Sequence, residues 1–150
     1  MLKINDKAPD FKLTADDGKA YSLKDFKGKK LVLYFYPKDM TSGCTAQACS
    51  FRDNIKLIQK KNAVVIGVSK DSTESHRKFK AKYELPFTLL SDESTKMLMD
   101  YGVWKEKSMY GRKYMGIERT TFLIDEKGII KEIFNKVKVA GHTEEILKLL

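Results

Sequence analysis

One segment limits the fold of this chain more than any other: Leu31-Val32-Leu33-Tyr34-Phe35-Tyr36, closed by Pro37. An apolar and aromatic run without polar alternation describes a strand covered on both faces, the usual mark of a largely parallel sheet with helices packed on it. The rest of the chain keeps that rhythm. A loop over residues 38–43 leads into about seventeen residues, 44–60, with helical periodicity. Residues 63–69 form a second apolar strand. Asp71-Ser72-Thr73-Glu74 has the spacing of a capping box and opens a helix that must stop before Pro86. A short strand over 87–90 and a short helix over 94–101, ended by Gly102, come next. Residues 120–124, the turn Asp125-Glu126-Lys127-Gly128 and residues 129–134 read as a hairpin. A last helix begins near Thr143, whose hydroxyl is suited to cap it, with Glu144 and Glu145 in the first turn where the helix dipole favours them. Two stretches, 10–13 and 19–22, add strands at the N-terminal end.

Strand–helix–strand alternation followed by a hairpin and a closing helix predicts an α/β chain with a thioredoxin-like fold: a mixed central sheet flanked by helices, with an N-terminal strand extension. The 150 residues suit one domain spanning 1–150. In open α/β sheets chemistry gathers at the carboxyl ends of strands, where helices begin. The loop from Pro37 to Cys44 sits at such a place.

Composition removes several function classes. No apolar run approaches the roughly eighteen residues of a membrane helix, and the first residues lack the apolar core of a leader, so a cytoplasmic protein with no membrane partner is expected. The formal charge of +9 invites a nucleic-acid reading, but the lysines are scattered, and Lys78, Lys80 and Lys82 point in different directions on a helix. A solvated basic surface with no nucleic-acid partner is the simpler expectation. His76 and His142 have no ligand spacing to each other or to the two cysteines, so no metal site is expected, and both read as surface residues. There is no glycine-rich nucleotide motif, and no cofactor is expected.

Two cysteines in a cytosolic chain are buried, reactive or redox-cycling rather than a disulfide framework. With Thr41 or Ser42 as the cap, Cys44 falls in the first turn of its helix, where backbone N–H groups favour a negative sulfur. The same position also suits a small apolar residue facing the core, and spacing alone does not choose between the two. At about 100° per residue, Cys44, Ala48, Phe51, Ile55 and Ile58 share one face, whereas Cys49 lies about 140° away towards Arg52 and Lys56. Five residues along an α-helix separate Cα atoms by ~8.7 Å. A disulfide needs less than about 7 Å. Either the two sulfurs never join, or the first turns of the helix unwind for them to do so.

The stretch Phe35-Tyr36-Pro37-Lys38-Asp39-Met40-Thr41-Ser42-Gly43-Cys44-Thr45 closely resembles the active-site segment of peroxiredoxins of the bacterioferritin comigratory protein (BCP, or PrxQ) group. The resemblance runs along essentially the whole chain, through Ala8-Pro9-Asp10-Phe11, Gly102-Val103-Trp104, the stretch from Gly116 to Asp125, and Gly128. It implies a thiol-dependent peroxidase acting on hydrogen peroxide and organic hydroperoxides. Cys44 is then the peroxidatic cysteine, Pro37, Thr41 and Arg119 occupy the group's other active-site positions, and Cys49 is the resolving cysteine in the same helix. Unwinding of the helix becomes an expected step, with an intramolecular disulfide recycled by thioredoxin or a similar dithiol, in a monomer. Ser42 stands where proline is more usual, and Gln47 where many relatives carry glutamate, so Gln47 receives no catalytic role.

In this chemistry the Cys44 thiolate attacks one peroxide oxygen and becomes a sulfenic acid. It needs an ionised, partly exposed sulfur. The Thr41 hydroxyl would bond both sulfur and peroxide, Arg119 would stabilise the thiolate and the leaving oxygen, and Pro37 would shield the sulfur. A thiol–disulfide oxidoreductase is the alternative enzyme, but the Cys-x-x-Cys motif is missing.

Overall fold

Strand β3, Lys30–Phe35, lies at the centre of a five-stranded sheet, and its register explains the unbroken apolar run. The computed structural model describes residues 1–150. On one side β3 pairs in parallel with β4, Ala63–Ser69, which pairs in parallel with β5, Thr88–Ser91. On the other side it pairs antiparallel with β8, Thr120–Ile124, followed by β9, Ile130–Phe134. The sheet order is β5-β4-β3-β8-β9, a mixed sheet of thioredoxin-like topology. The 120–134 hairpin expected from sequence is β8–β9.

Alternate residues of β3 serve opposite cores. Leu31, Leu33 and Phe35 join Ile66, Val68, Leu90 and Phe122 under the N-terminal segment. Val32, Tyr34 and Tyr36 join Cys44, Ala48, Phe51, Ile58, Phe79 and Ile146 on the other face. That second face carries the helices α1, Ser42–Asp53; α2, Ile55–Lys60; α3, Thr73–Tyr83; and α5, His142–Leu149. A short helix α4, Lys96–Asp100, closes the first face. The N-terminal extension forms its own antiparallel pair, β1, Lys12–Thr14, with β2, Ala20–Ser22, linked to the main sheet by a bridge from Ala15 to Leu90. Gly67 faces Tyr34 across the β3–β4 pair, and a Cβ there would lie 2.9 Å from the Tyr34 ring. The glycine makes room for a phenol pressed into the core.

Several local expectations need correction. The helix over 44–60 is two helices, because Asn54 leaves helical geometry (φ −111°, ψ 10°) and its side-chain amide donates to the Ser50 carbonyl at 2.8 Å. The cap of α3 is Ser72, which accepts from the Ser75 N–H at 3.1 Å, so Asp71 is released for other contacts. Thr143 does not cap α5; Gly141 holds that position, and the Thr143 hydroxyl pairs with Ser50 Oγ at 2.7 Å. A second hairpin, β6, Trp104–Met109, with β7, Arg112–Ile117, lies in residues for which no element was expected. Its strands are mostly polar and exposed, so no buried-face periodicity announces them. No helix of the chain is long and apolar enough to cross a membrane.

Candidate active site

The carboxyl end of β3 and the start of α1 bring the sequence-selected residues together. Thr41 is the N-cap of α1 in extended conformation (φ −74°, ψ 154°), so Cys44 lies in the first turn. The Thr41 side chain does not cap the helix; its hydroxyl donates to the Lys38 carbonyl at 2.8 Å. First-turn N–H groups, which have no intrahelical partner, are thus left without a side-chain acceptor and point towards the sulfur end of the helix.

Arg119 arrives from the neighbouring strand's entry, one residue before β8. Its Nη2 donates to Cys44 Sγ at 3.3 Å and its Nη1 to Gln47 Oε1 at 2.6 Å. The two residues are 75 positions apart in the chain, and this contact is the one that sequence spacing alone could not supply. A Cβ on Gly43 would stand 3.2 Å from Arg119 Nη2, so the bare glycine backbone permits the guanidinium to come this close. Pro37 is half-buried on the loop between β3 and α1.

Cys44 is 1 % exposed. The expectation of a partly exposed sulfur is therefore corrected: the helix turns Cys44 into the cluster of Tyr34, Tyr36, Ala48 and Phe51, with the Arg119 guanidinium against the sulfur. Cys49 is half-buried, on a different side of the same helix, and both thiols are free.

Sequence reasoning missed three further groups. Gln47 is buried and orients Arg119, while its own amide nitrogen has no partner. Its neutral side chain leaves the guanidinium charge uncompensated, where a carboxylate would have cancelled it. The buried Tyr34 hydroxyl is also unpartnered, and burial together with the nearby Cys44 sulfur pushes its ionisation well above the ordinary phenol range. Lys107, on β6, is held below the usual lysine range by desolvation and by the Arg119 cation. A glutamine one helical turn after the cysteine was the available signal for Gln47; the other two had none. Both histidines, expected at the surface, are buried: His76 is 0 % and His142 is 4 % exposed. Each is accepted there because it finds polar partners, His142 Nε2 with Thr121 Oγ1 at 2.9 Å and His76 in a network described below.

The chain is similar to known proteins over nearly its whole length. Residues 4–133 match the family described as AhpC/TSA. Peroxiredoxin Bcp of Bacillus subtilis is 52% identical over 149 residues, covering 99% of this chain and 95% of that one. Peroxiredoxin Bcp of Escherichia coli is 45% identical, covering 99% and 96%. Among solved structures, a cysteine-to-serine variant of PrxQ from Xylella fastidiosa superimposes with a TM-score of 0.94 at 38% identity, covering 99% of this chain and 95% of that one. The bacterioferritin comigratory protein of Xanthomonas campestris, studied for its alkyl peroxide reduction, gives 0.89 at 40% identity, covering 93% and 88%. With a cysteine at a helix start under an arginine, on a thioredoxin-like sheet, and with likeness over nearly its whole length, the chain belongs to the AhpC/TSA family, in its Bcp/PrxQ group of peroxiredoxins.

Proposed function

We propose that this peroxiredoxin reduces hydrogen peroxide and organic hydroperoxides as a single domain, with Cys44 as the attacking sulfur. The observation that carries this reading is the 3.3 Å contact from Arg119 Nη2 to Cys44 Sγ. The thiolate is the nucleophilic form of a cysteine, and a cation fixed beside the sulfur also faces the oxygen on which negative charge develops. The sulfur displaces on the near peroxide oxygen, the O–O bond breaks, and the far oxygen leaves as alkoxide or hydroxide and takes up a proton. Cys44 becomes the sulfenic acid.

Thr41 receives a defined part. Its hydroxyl hydrogen is engaged by the Lys38 carbonyl, so its oxygen remains as an acceptor for the peroxide O–H. That fixes which end of the peroxide faces the sulfur. Arg119 would stabilise charge on the departing oxygen, and Pro37 limits water at the sulfur. Cys49 then attacks the sulfenic sulfur, forming the disulfide and releasing water. The separation imposed by an intact helix requires α1 to open at its start for this step. A dithiol such as thioredoxin restores both thiols by exchange. The cycle closes within one chain, which favours a monomer, and its dependence on reduced thiols suits the cytoplasm. The coarser alternative of a thiol–disulfide oxidoreductase does not account for the Thr41 acceptor or for Arg119 on the sulfur.

Mass spectrometry after one equivalent of hydrogen peroxide tests the scheme. The expected product is a chain lighter by two hydrogens, with Cys44 and Cys49 joined in one peptide. Oxidation confined to Cys49, or an unreacted chain, would overturn it. Arg119→Ala should lower kcat/KM for peroxide about 10²-fold, the usual cost of losing a preorganised charge donor. Gln47→Ala should lower it by less, because the guanidinium loses its orienting acceptor at 2.6 Å. An unchanged kcat/KM in Arg119→Ala would remove the arginine from this role.

A further inference from the structure

The loop before Cys44 is tied to the body of the protein by a buried polar knot centred on Asp39. The Asp39 side chain is 2 % exposed. Its Oδ1 accepts from the Tyr36 hydroxyl at 2.6 Å. Its Oδ2 accepts from Ser75 Oγ at 2.8 Å and lies 2.7 Å from His76 Nδ1. Its backbone N–H donates to Asp71 Oδ2 at 2.8 Å, and the same oxygen accepts from Ser69 Oγ at 2.6 Å. His76 Nε2 reaches the Leu90 carbonyl at 2.9 Å. A carbonyl only accepts, so Nε2 is the donor in that bond. Three places are thereby fastened to one loop residue, the residue after β3, the β4–α3 connection and the first turns of α3, and His76 carries the tie on to β5.

Asp39, Asp71 and His76 lie within 4.8 Å of one another, which could suggest a cation site. Their facing atoms are already engaged by one another and by Tyr36, Ser69 and Ser75, so the cluster is a closed hydrogen-bonded knot. Its neighbour points to its purpose. Met40, the next residue, has φ 69°, left-handed backbone that a non-glycine side chain rarely adopts, and the residue is 42 % exposed. The knot holds a strained residue in place directly before Thr41 and Cys44. None of the bonds to Asp39 comes from α1, so the anchor fixes the chain entering the helix while leaving the helix itself untied.

We propose that Asp39 is a positioning residue, whose bonds to His76, Ser75 and Tyr36 latch the active-site loop in the folded form that attacks peroxide and against the opened form in which Cys44 reaches Cys49. This rests on Cys49 as the resolving cysteine. The latch sets a competition. While it is closed, the Cys44 sulfenate waits and meets a second peroxide, which transfers one oxygen to give the sulfinate and leaves as water or alcohol. When it opens, Cys49 condenses with the sulfenic acid and water leaves.

The test compares reduced full-length protein with Asp39→Ala and with the milder Ser75→Ala. Rapid quenching and mass spectrometry give three rates: sulfenic acid formation, disulfide formation and sulfinate formation. In Asp39→Ala, attack should slow a few-fold while disulfide formation quickens about tenfold, the scale of losing buried hydrogen bonds to a charged group. The peroxide concentration that yields equal sulfinate and disulfide should rise accordingly. Ser75→Ala should move all three in the same directions by less. A residue that only supports folding would not speed any step, so slower attack with unchanged or slower disulfide formation overturns the latch. Hydrogen exchange gives an independent reading: amides 39–45 should exchange faster in Asp39→Ala while those of α5 keep their protection. If the wild type forms no Cys44–Cys49 disulfide, the resolving role of Cys49 fails, and exchange alone then decides the latch, with unchanged protection at 39–45 overturning it.

Discussion

Cys44→Ser is expected to abolish peroxide reduction, with kcat/KM falling by at least about 10⁴-fold, the scale seen when an enzyme loses its nucleophile. The substitution changes one atom. Serine differs little in shape at a position that is 1 % exposed, and its oxygen can accept from Arg119 Nη2 as the sulfur does at 3.3 Å. The fold is expected to stay, with a loss of about 1–3 kcal/mol for placing a hydroxyl among buried apolar side chains. What is lost is chemical. An alcohol beside a guanidinium remains protonated at neutral pH, whereas a thiol with a pKa of about 8.5 in the free state is within reach of ionisation by a nearby cation. A hard, protonated oxygen does not displace on an O–O bond. Peroxide consumption together with a thermal melt measures both halves of the argument, and activity within about tenfold of wild type would remove Cys44 from the centre of the reaction.

The parts of this molecule legible from sequence are those in which neighbours along the chain act together. The run from Leu31 to Tyr36 could only be a strand covered on both faces, and both cores indeed draw on it alternately. The helical stripe headed by Cys44 holds within α1 for Cys44, Ala48 and Phe51, all buried, because a 3.6-residue period is local; Ile58 is buried as well, but from α2 beyond the break at Asn54. What stayed hidden depends on residues far apart in the chain. His76 looked like a surface histidine on a charged helix, and it is buried because Asp39, 37 positions earlier, and the Leu90 carbonyl supply its partners. Thr143 looked like a cap and is instead spent on Ser50, 93 positions away. Asp71 lost its capping role to Ser72 because the loop before Cys44 needed an acceptor for the Asp39 N–H. The β6–β7 hairpin was invisible for another reason: most of its side chains face water, and without a buried side there is no period to read. In the site itself, Cys44 at a helix start was legible as one of two readings, while Thr41, Pro37 and Arg119 gained their places through resemblance, and the arginine its meaning through a distance.

Cys49→Ser should separate the two halves of the cycle. The first half ought to be intact. Cys49 is half-buried on another side of α1, and the contacts that prepare Cys44 come from Arg119, Gln47 and the loop over 38–41, none of them through Cys49. One equivalent of peroxide should still yield one sulfenic acid per chain at close to the wild-type rate. The second half should fail, because a serine hydroxyl has neither the nucleophilicity to attack a sulfenic sulfur nor the ability to form a bond that a dithiol can later break. Thioredoxin-driven turnover is then expected to drop by about 10²-fold or more, with sulfinate accumulating as peroxide rises, since the sulfenate has no partner to remove it. The geometry makes this prediction sharp. With ~8.7 Å between Cα positions five residues apart on an intact helix, resolution needs α1 to open at its start. A variant without Cys49 gains nothing from that opening, so its peroxide attack should be insensitive to whatever loosens the loop except through loss of the attacking form itself. Full turnover with thioredoxin in Cys49→Ser would mean that the dithiol attacks the Cys44 sulfenic acid directly, and the opening of the helix would then have no part in the reaction.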